Sequence, residues 1–219
     1  MANVLLGATG SVAAVRVPDL YRQLRLAEHA VKVVATRAAL YFFDPVTLNP
    51  ERPERDPDIV ILDEDEWPGR DAGQLWQRDD PVLHIELRKW ADLLVIAPLD
   101  ANTLAKLANG LSDNCLTCVW RAWDTARPVV LAPAMNTLMW LHPLTGRHLR
   151  QLAADSGGGD VPAGLDLDAV MAWINERCPR LWVVGPQSKR LACGDVGVGA
   201  MADVAEVVAA ITAALPLAA

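Results

Sequence analysis

The sequence predicts an α/β fold around a parallel sheet, and three observations support that prediction. Short apolar runs alternate with segments of helical periodicity, as strands joined by right-handed helical crossovers require. The run 93–97 is apolar at every position, which is typical of a parallel strand covered on both faces. The chain has 219 residues, of which 52% are hydrophobic and 21% charged, so it suits one domain with a sizeable core.

The N-terminal half predicts strands that are each followed by a turn or a loop. An apolar run precedes the turn GATGS, and Pro18 falls inside or near a break in the helix that follows. Thr36 is a suitable N-cap for a second helix. The predicted elements are a strand at 3–6, a helix at 12–27, a strand at 31–35, a helix at 36–43, an exposed loop at 49–58 and a strand at 60–62.

The C-terminal half continues the alternation. The predicted elements are a helix at 84–90, a strand at 93–97, a helix from 103 that continues past Gly110, a strand at 129–132, a helix at 147–154, a strand at 181–184 and a helix at 204–215. We expect residues 1–219 to form a single domain. Within it, Gly-rich composition predicts a flexible insert around 155–180, part of which has helical periodicity, and a flap around 186–201.

Charge and cysteine content argue against several functional classes. A net charge of −7 disfavours a nucleic-acid partner, and no apolar run is long enough to span a membrane. The apolar N-terminus lacks a basic region, so a first strand explains it better than a signal peptide does. The four cysteines form no disulfide framework, which suggests a reducing compartment. Cys115 and Cys118 form a C-x-x-C pair without a second pair or a His cluster, so we expect buried hydrophobes and no metal site.

Three turns follow predicted strands, which is where ligands bind in parallel α/β sheets. The first, GATGS, offers Gly10, Ser11 and backbone N–H groups to an anion, although an ordinary strand-to-helix turn explains it equally well. It lacks the G-x-G-x-x-G pattern, and the second strand ends in Ala-Thr-Arg without the acidic residue that a dinucleotide ribose requires. The sequence therefore favours a mononucleotide over NAD.

The other two turns carry polar side chains in apolar surroundings. In PLDANT, Asp100 and Thr103 suit a helix N-cap, which leaves Asn102 as a surplus amide able to bind a heterocycle. In PAMNTLMW, Asn136 stands between two methionines and precedes a tryptophan. Thioethers and an indole are unusual in a turn, so the pattern predicts either a buried corner or a wall against a flat apolar group.

Two further segments carry groups able to move a proton. A lone His on a helix, such as His84 in PVLHIELRKWAD, is more often structural than catalytic, but Arg88 and Lys89 nearby could hold an anionic substrate group. Cys193 lies in RLACGDVGVGAM, where closely spaced glycines predict a flap that closes over a substrate. A cysteine on such a flap lies outside the core and is available for chemistry.

Four long blocks in this order resemble the flavin-dependent cysteine decarboxylases over nearly the whole chain. They are PVLHIELRKWADLLVIAPLDANTLAKLA, DNCLTCVWRAWD, PAMNTLMW and RLACGDVGVGAMA. The resemblance implies a three-layer Rossmann-like or flavodoxin-like fold with a parallel sheet, FMN as cofactor, a small-molecule substrate, a homotrimer and a cytoplasmic location. The implied activity is the FMN-dependent decarboxylation of 4′-phosphopantothenoylcysteine to 4′-phosphopantetheine in coenzyme A biosynthesis.

The resemblance also implies roles for individual residues. It makes His84 the base, Cys193 the proton donor of the flap, and Asn136 the residue that holds the substrate carboxylate. The other substrate-binding residues that it implies are Met139, Arg88, Lys89, Arg190 and Ala192. The FMN-binding residues that it implies are Gly10, Ser11, Val12, Ala13, Thr36, Phe42, Asp100, Ala101, Asn102, Thr103, Ala134 and Met135.

Two departures and three alternatives accompany this assignment. Lys89 stands where relatives often carry a second Arg, which weakens the expectation of a bidentate anion contact, and the segment 155–180 is longer than the usual connection into the flap. The alternatives are a phosphatase-binding regulatory relative of the same fold, a flavoprotein that oxidatively decarboxylates peptidyl cysteine, and a flavin prenyltransferase. Because His84 and Cys193 are both present, the sequence favours an enzyme that returns the hydride to its product.

Overall fold

The structure, a computed structural model, describes residues 1–190 and 196–215, with positions 71, 189, 190 and 196 described as backbone alone. Six strands form one parallel sheet in the order β3-β2-β1-β4-β5-β6. They are β1 (Asn3–Ala8), β2 (Ala30–Ala35), β3 (Val60–Ile61), β4 (Leu93–Leu99), β5 (Val129–Pro133) and β6 (Leu181–Val183). The chain changes direction across the sheet between β1 and β4, which creates a crevice beyond their carboxyl ends.

Helices cover both faces of the sheet and give three layers. The helices are α1 (Val17–Leu26), α2 (Leu83–Trp90), α3 (Ala101–Asn109), α4 (Cys115–Arg121), α5 (Thr137–Trp140), α6 (Pro143–Asp155), α7 (Leu167–Arg177) and α8 (Val204–Ala214). Helices α1 and α8 pack on one face, and α2, α3, α4, α6 and α7 pack on the other. The predicted three-layer α/β fold with a parallel sheet is confirmed.

Alternation along the strands explains why the sheet needs helices on both sides. In β1, Val4 and Leu6 join the core beneath α1 and α8, whereas Leu5 joins the opposite core. All seven residues of β4 are buried, as the apolar run in the sequence predicted. Burying apolar surface of this extent on two faces is the main source of stability for such a sheet.

Local structure departs from the predicted elements in three places. The helix predicted at 36–43 is wrong, because the chain instead forms short 3-10 turns at Ala39–Tyr41 and Pro45–Leu48. The helix predicted to continue past Gly110 is broken, because Gly110 adopts a φ of 70° that ends α3 before α4 begins. Helix α6 also begins at Pro143, four residues before the predicted start.

The segment 155–180, predicted as a flexible insert, contains helix α7. Val170 and Ile174 of this helix are fully buried against the sheet, and Asp166 caps its first turn by accepting a hydrogen bond from the Ala169 N–H at 2.8 Å. The helical periodicity in the sequence therefore describes this part of the segment better than its Gly-rich start does.

The predicted flap at 186–201 begins and ends as an antiparallel hairpin. Its strands are β7 (Gln187–Arg190) and β8 (Val196–Ala200), which pair with each other rather than with the six-stranded sheet. Among the described residues, no helix combines the length and apolarity needed to cross a membrane.

Candidate active site

A cleft of about 710 Å³ opens beyond the carboxyl ends of β1, β4 and β5. This volume is within the range of small-molecule and cofactor sites. Its lining is mostly apolar, with a few polar side chains placed among apolar ones. The lining residues are Gly10, Ser11, Val12, Ala13, Val15, Arg16, Phe42, Asp100, Ala101, Asn102, Ala134, Met135, Asn136, Met139, Gly199, Ala200, Met201, Ala202 and Asp203.

The turn after β1 forms one end of the cleft. Ser11 caps the 3-10 turn Val12–Arg16, because its Oγ accepts a hydrogen bond from the Ala13 N–H at 3.3 Å. A Cβ at Gly10 would lie 2.6 Å from the Cβ of Ala38, so only glycine lets this turn approach the segment after β2. The turn GATGS is therefore both a helix-capping turn and a wall of the cleft.

A buried hydroxyl fixes the ends of the two strands that flank the crevice. Thr9 Oγ1 donates a hydrogen bond to the Pro98 carbonyl and accepts one from the Asp100 N–H, each at 2.8 Å. Asp100 in turn caps α3 by accepting from the Thr103 N–H at 2.7 Å. The N-cap interpretation accounts for Asp100 and Thr103, and Thr103 is buried, so Asn102 is the exposed amide at the cleft.

The segment PAMNTLMW forms the opposite wall of the cleft. The sequence predicted either a buried corner or a wall here, and the structure shows both. Met135, Asn136 and Met139 line the cleft, whereas Trp140 is buried in the core beneath α3. Asn136 caps the short helix α5, with its Oδ1 accepting a hydrogen bond from the Leu138 N–H at 2.8 Å. The turn is a wall against the cleft on one side and a buried corner on the other.

The base of the hairpin lies against this wall. The Met135 N–H donates a hydrogen bond to the Gly199 carbonyl at 2.9 Å. Gly199 has a φ of 145°, and a Cβ there would lie 2.2 Å from the Met135 carbonyl oxygen, so a side chain is excluded. Cys193 and Ala192, predicted for catalysis and substrate binding, lie outside the described residues, and Arg190 is described as backbone alone.

His84 lies outside the cleft in a single chain. It is on α2, which packs against α4 and the 3-10 turn Asp63–Glu66 that follows β3. His84 Nδ1 is 2.5 Å from Glu66 Oε1, and the Glu66 side chain is only 2% exposed. The sequence analysis missed Glu66, because no local pattern distinguishes it from its acidic neighbours Asp63, Glu64 and Asp65.

The two cations near His84 are also outside the described cleft lining. Lys89 Nζ is 2.9 Å from Glu86 Oε1 on the same exposed helix surface. Arg88, one turn after His84, has its Nε buried without a hydrogen-bond partner among residues 1–190 and 196–215. One chain therefore does not bring the predicted base and its cations to the cleft.

The C-x-x-C pair lies near Glu66, and both of its thiols are free. Cys115 is buried on α4, and burial together with the nearby Glu66 carboxylate raises the pKa of its thiol. Cys118 is partly exposed, and its pKa is raised mainly by burial. A raised pKa leaves little thiolate for disulfide exchange. The described parts of the chain contain no group of three or more His, Cys, Asp or Glu side chains able to hold a metal ion.

The cleft residues fit a flat mononucleotide such as FMN. Met135, Met139 and Phe42 provide apolar surface for a ring system, and Asn102 and Ser11 provide polar contacts. Thr36, buried at the carboxyl end of β2, has an Oγ1 without a hydrogen-bond partner in the described chain. A buried hydroxyl of this kind favours a polar ligand group as its partner.

Comparison with known proteins identifies the family. The Flavoprotein family profile matches residues 1–216, so the chain belongs to the flavoprotein family. Phosphopantothenoylcysteine decarboxylase from Mus musculus is 43% identical over 215 residues, which are 97% of this chain and 87% of the mouse protein. The predicted family is thereby confirmed.

Two solved structures have the same fold. A cysteine-to-serine mutant of PPC decarboxylase, complexed with pantothenoylaminoethenethiol, gives a TM-score of 0.75 at 42% identity and covers 97% of each chain. The FMN-binding protein AtHal3 gives a TM-score of 0.70 at 42% identity, covering 97% of this chain and 95% of its own. Both similarities extend over nearly the full length of this protein.

Most of the predicted FMN-binding residues line the cleft. Ten of the twelve predicted FMN-binding residues line it, and the two that do not are Thr36 and Thr103. The sequence analysis missed seven lining residues, which lie in the 3-10 turn before α1 and at or just after the end of β8. These are Val15, Arg16, Gly199, Ala200, Met201, Ala202 and Asp203. The glycines of GDVGVGAM predicted a flap, but they did not predict that the end of this segment lines the cleft.

Proposed function

We propose that this protein decarboxylates 4′-phosphopantothenoylcysteine to 4′-phosphopantetheine in coenzyme A biosynthesis, with FMN as its cofactor. The observation that carries the proposal is the mononucleotide-sized cleft at the sheet crossover, with Asn136 set in its methionine-lined wall. The mouse decarboxylase and the FMN-binding protein AtHal3 support the same activity and cofactor. The proposed enzyme is a carboxy-lyase.

The protein's own groups would bind and orient the reactants. Bound FMN would supply two-electron oxidation and reduction at the Cβ of the substrate's cysteine. Oxidation of that carbon allows the carboxylate to leave as CO2. The residues that line the cleft would hold the cofactor, and the Leu138 N–H fixes the orientation of the Asn136 amide. We assign Asn136 and Met139 to the substrate carboxylate and its surroundings, His84 to proton removal, and Cys193 to proton return.

The anionic end of the substrate needs cationic partners. Arg88 is the better candidate, because its buried Nε lacks a hydrogen-bond partner in the described chain and a guanidinium binds phosphate or carboxylate bidentately. Lys89 already pairs with Glu86, and Arg190 and Ala192 remain assigned to the substrate by family resemblance. Neither Arg88 nor Lys89 lines the described cleft of one chain.

A homotrimer would solve this separation, and it is part of the proposal. Large apolar side chains are exposed at or near the cleft rim, as expected where another subunit packs. They are Val12, Val15, Tyr41, Leu138, Met139, Leu141 and Leu144. A neighbouring copy seated there would bring its own His84 to the cleft. Tryptophans are common at protein interfaces, but three in the blocks that resemble the family are not available for one. Trp123 and Trp140 are buried, and Trp120 packs against the same core.

Leu138→Lys is expected to dissociate the trimer and to lower activity at least ~10-fold, because burying an unpaired charge in an apolar interface is unfavourable. Leu138 is 75% exposed in one chain. Light scattering at micromolar concentration measures the mass. Leu26→Lys is the matched control, since Leu26 is 70% exposed at the end of α1. A wild-type protein that is monomeric and active would contradict the trimer.

The function is tested with purified protein and three substrates. Flavin absorbance should accompany the protein, and 4′-phosphopantothenoylcysteine should release CO2 and yield 4′-phosphopantetheine by mass spectrometry. A peptide with a C-terminal cysteine tests the peptidyl alternative, and a prenyl phosphate with free FMN tests the prenyltransferase. A yellow protein inactive on all three would instead favour the phosphatase-binding alternative.

The proposed location is the cytoplasm. Cys115, Cys118 and Cys178 are free thiols, which suits a reducing compartment. The small-molecule substrate of a biosynthetic enzyme suits the same compartment, and the negative charge of the chain gives no reason to expect nucleic acid as a partner.

A further inference from the structure

Glu66 is a buried carboxylate that the proposed reaction does not yet use. It ends the 3-10 turn after β3, and its side chain is 2% exposed. Oε1 lies 2.5 Å from His84 Nδ1, and Oε2 has no hydrogen-bond partner among the described residues. Burying a carboxylate is unfavourable unless a partner compensates its charge, so the contact with His84 is the feature that explains its position.

The groups around Glu66 leave His84 as its hydrogen-bond partner. Asp63, on the same turn, accepts a hydrogen bond from the Cys115 N–H at 3.2 Å. Arg55 pairs with Asp65, at 2.6 Å between Nη1 and Oδ2, and is therefore committed elsewhere. The Cys115 thiol beside Glu66 stays neutral. Within the described chain, the Glu66 side chain is hydrogen-bonded to His84, which carries a charge only when both ring nitrogens are protonated.

We propose that Glu66 is a positioning residue that sets the tautomer of His84. Its carboxylate accepts the Nδ1–H, which leaves Nε2 unprotonated and able to act as the base. The His84 side chain is 20% exposed, so its ring remains accessible. When Nε2 takes one proton from the substrate, the ring becomes an imidazolium that the adjacent Glu66 carboxylate can stabilise. This inference rests on the proposed role of His84 in decarboxylation.

The first test needs no variant of Glu66. Wild-type protein labelled with 15N-histidine contains four histidines, and His84→Asn identifies the signals of His84 by their loss. Nitrogen–proton couplings then show which ring nitrogen of the neutral side chain carries the proton. The proposal requires protonated Nδ1. Finding the proton on Nε2, with Glu66 donating to Nδ1, would overturn it.

The second test compares two identical substitutions in one turn. Glu66→Gln keeps the size of the side chain but removes its charge, and kcat is expected to fall about 100-fold, the lower end of a general acid–base contribution. KM and flavin content should stay near wild type, because Glu66 lies outside the cleft. Glu64→Gln is the control, since Glu64 is exposed on the same turn. Equal kcat values for the two variants would overturn the proposal.

A double variant separates positioning from a structural role. If Glu66 acts through His84, adding Glu66→Gln to His84→Asn should lower kcat no further. Additive losses would mean that Glu66 acts independently, which contradicts the proposal. Should wild-type protein fail to decarboxylate the substrate, the proposed function fails, while the tautomer measurement still decides whether Glu66 orients His84.

Discussion

His84→Asn is expected to lower kcat by at least ~10²-fold while leaving bound FMN and the oligomer intact. General acid–base catalysis contributes about this factor or more, and asparagine has no basic nitrogen. Flavin binding should survive because His84 does not line the described cleft of its own chain. Asparagine also keeps an amide donor near the Nδ1 position, so the buried Glu66 retains a partner. Steady-state CO2 release, flavin absorbance and light scattering measure the three properties.

The matched control is His142→Asn. His142 is exposed and caps α6 through its Nδ1, which accepts a hydrogen bond from the Leu144 N–H at 3.2 Å. Asparagine is itself a good N-cap, so this variant should behave like wild type. Normal turnover in His84→Asn would reject His84 as the base. Loss of flavin in that variant would instead assign His84 a structural role.

Cys193→Ser is expected to separate the two halves of the reaction. Oxidation of the substrate and departure of CO2 do not need the thiol, so they should proceed. Returning the hydride equivalent needs a proton donor, and serine is a far weaker acid than a thiol, whose unperturbed pKa is about 8.5. The variant should therefore release CO2 once per flavin, yield the enethiol instead of 4′-phosphopantetheine, and keep its flavin reduced unless oxygen reoxidises it. Mass spectrometry distinguishes the products, because the enethiol lacks two hydrogen atoms.

The control for this variant is Cys118→Ser, which changes the same atom on a helix outside the cleft. Cys118 Sγ lies 3.6 Å from the Ser112 carbonyl, a contact that a hydroxyl reproduces. We expect this control to make only the fully reduced product. If Cys193→Ser also makes the reduced product at the wild-type rate, Cys193 is an ordinary residue of the flap and another acid supplies the proton.

The strands were predictable because their signal is local. The run 93–97 is apolar at every position, and it forms β4, which extends two residues beyond the prediction to Leu99. The helix expected at 36–43 failed because Pro45 and the packing of Phe42 against the cleft impose short 3-10 turns. Thr36 is a sound N-cap residue by type, but propensity is a weak guide where tertiary contacts decide.

The candidate site was only partly predictable for a related reason. Turns such as GATGS and PAMN could be predicted as site residues, because they follow strands whose carboxyl ends must meet at one edge of the sheet. Glu66 pairs with His84 across 18 positions of the chain, and nothing in its neighbours reveals the pairing. The separation of His84 from the cleft also depends on which face α2 covers, which periodicity within one helix does not fix.

The Thr9 hydroxyl has a consequence for how the cofactor is taken up. Because it links the ends of β1 and β4 through two backbone partners and is fully buried, the spacing of those strands does not depend on a ligand. The apoprotein should hold this part of the cleft in its binding geometry. Less conformational entropy is then lost when FMN binds, and the affinity depends on how well FMN complements a preorganised site.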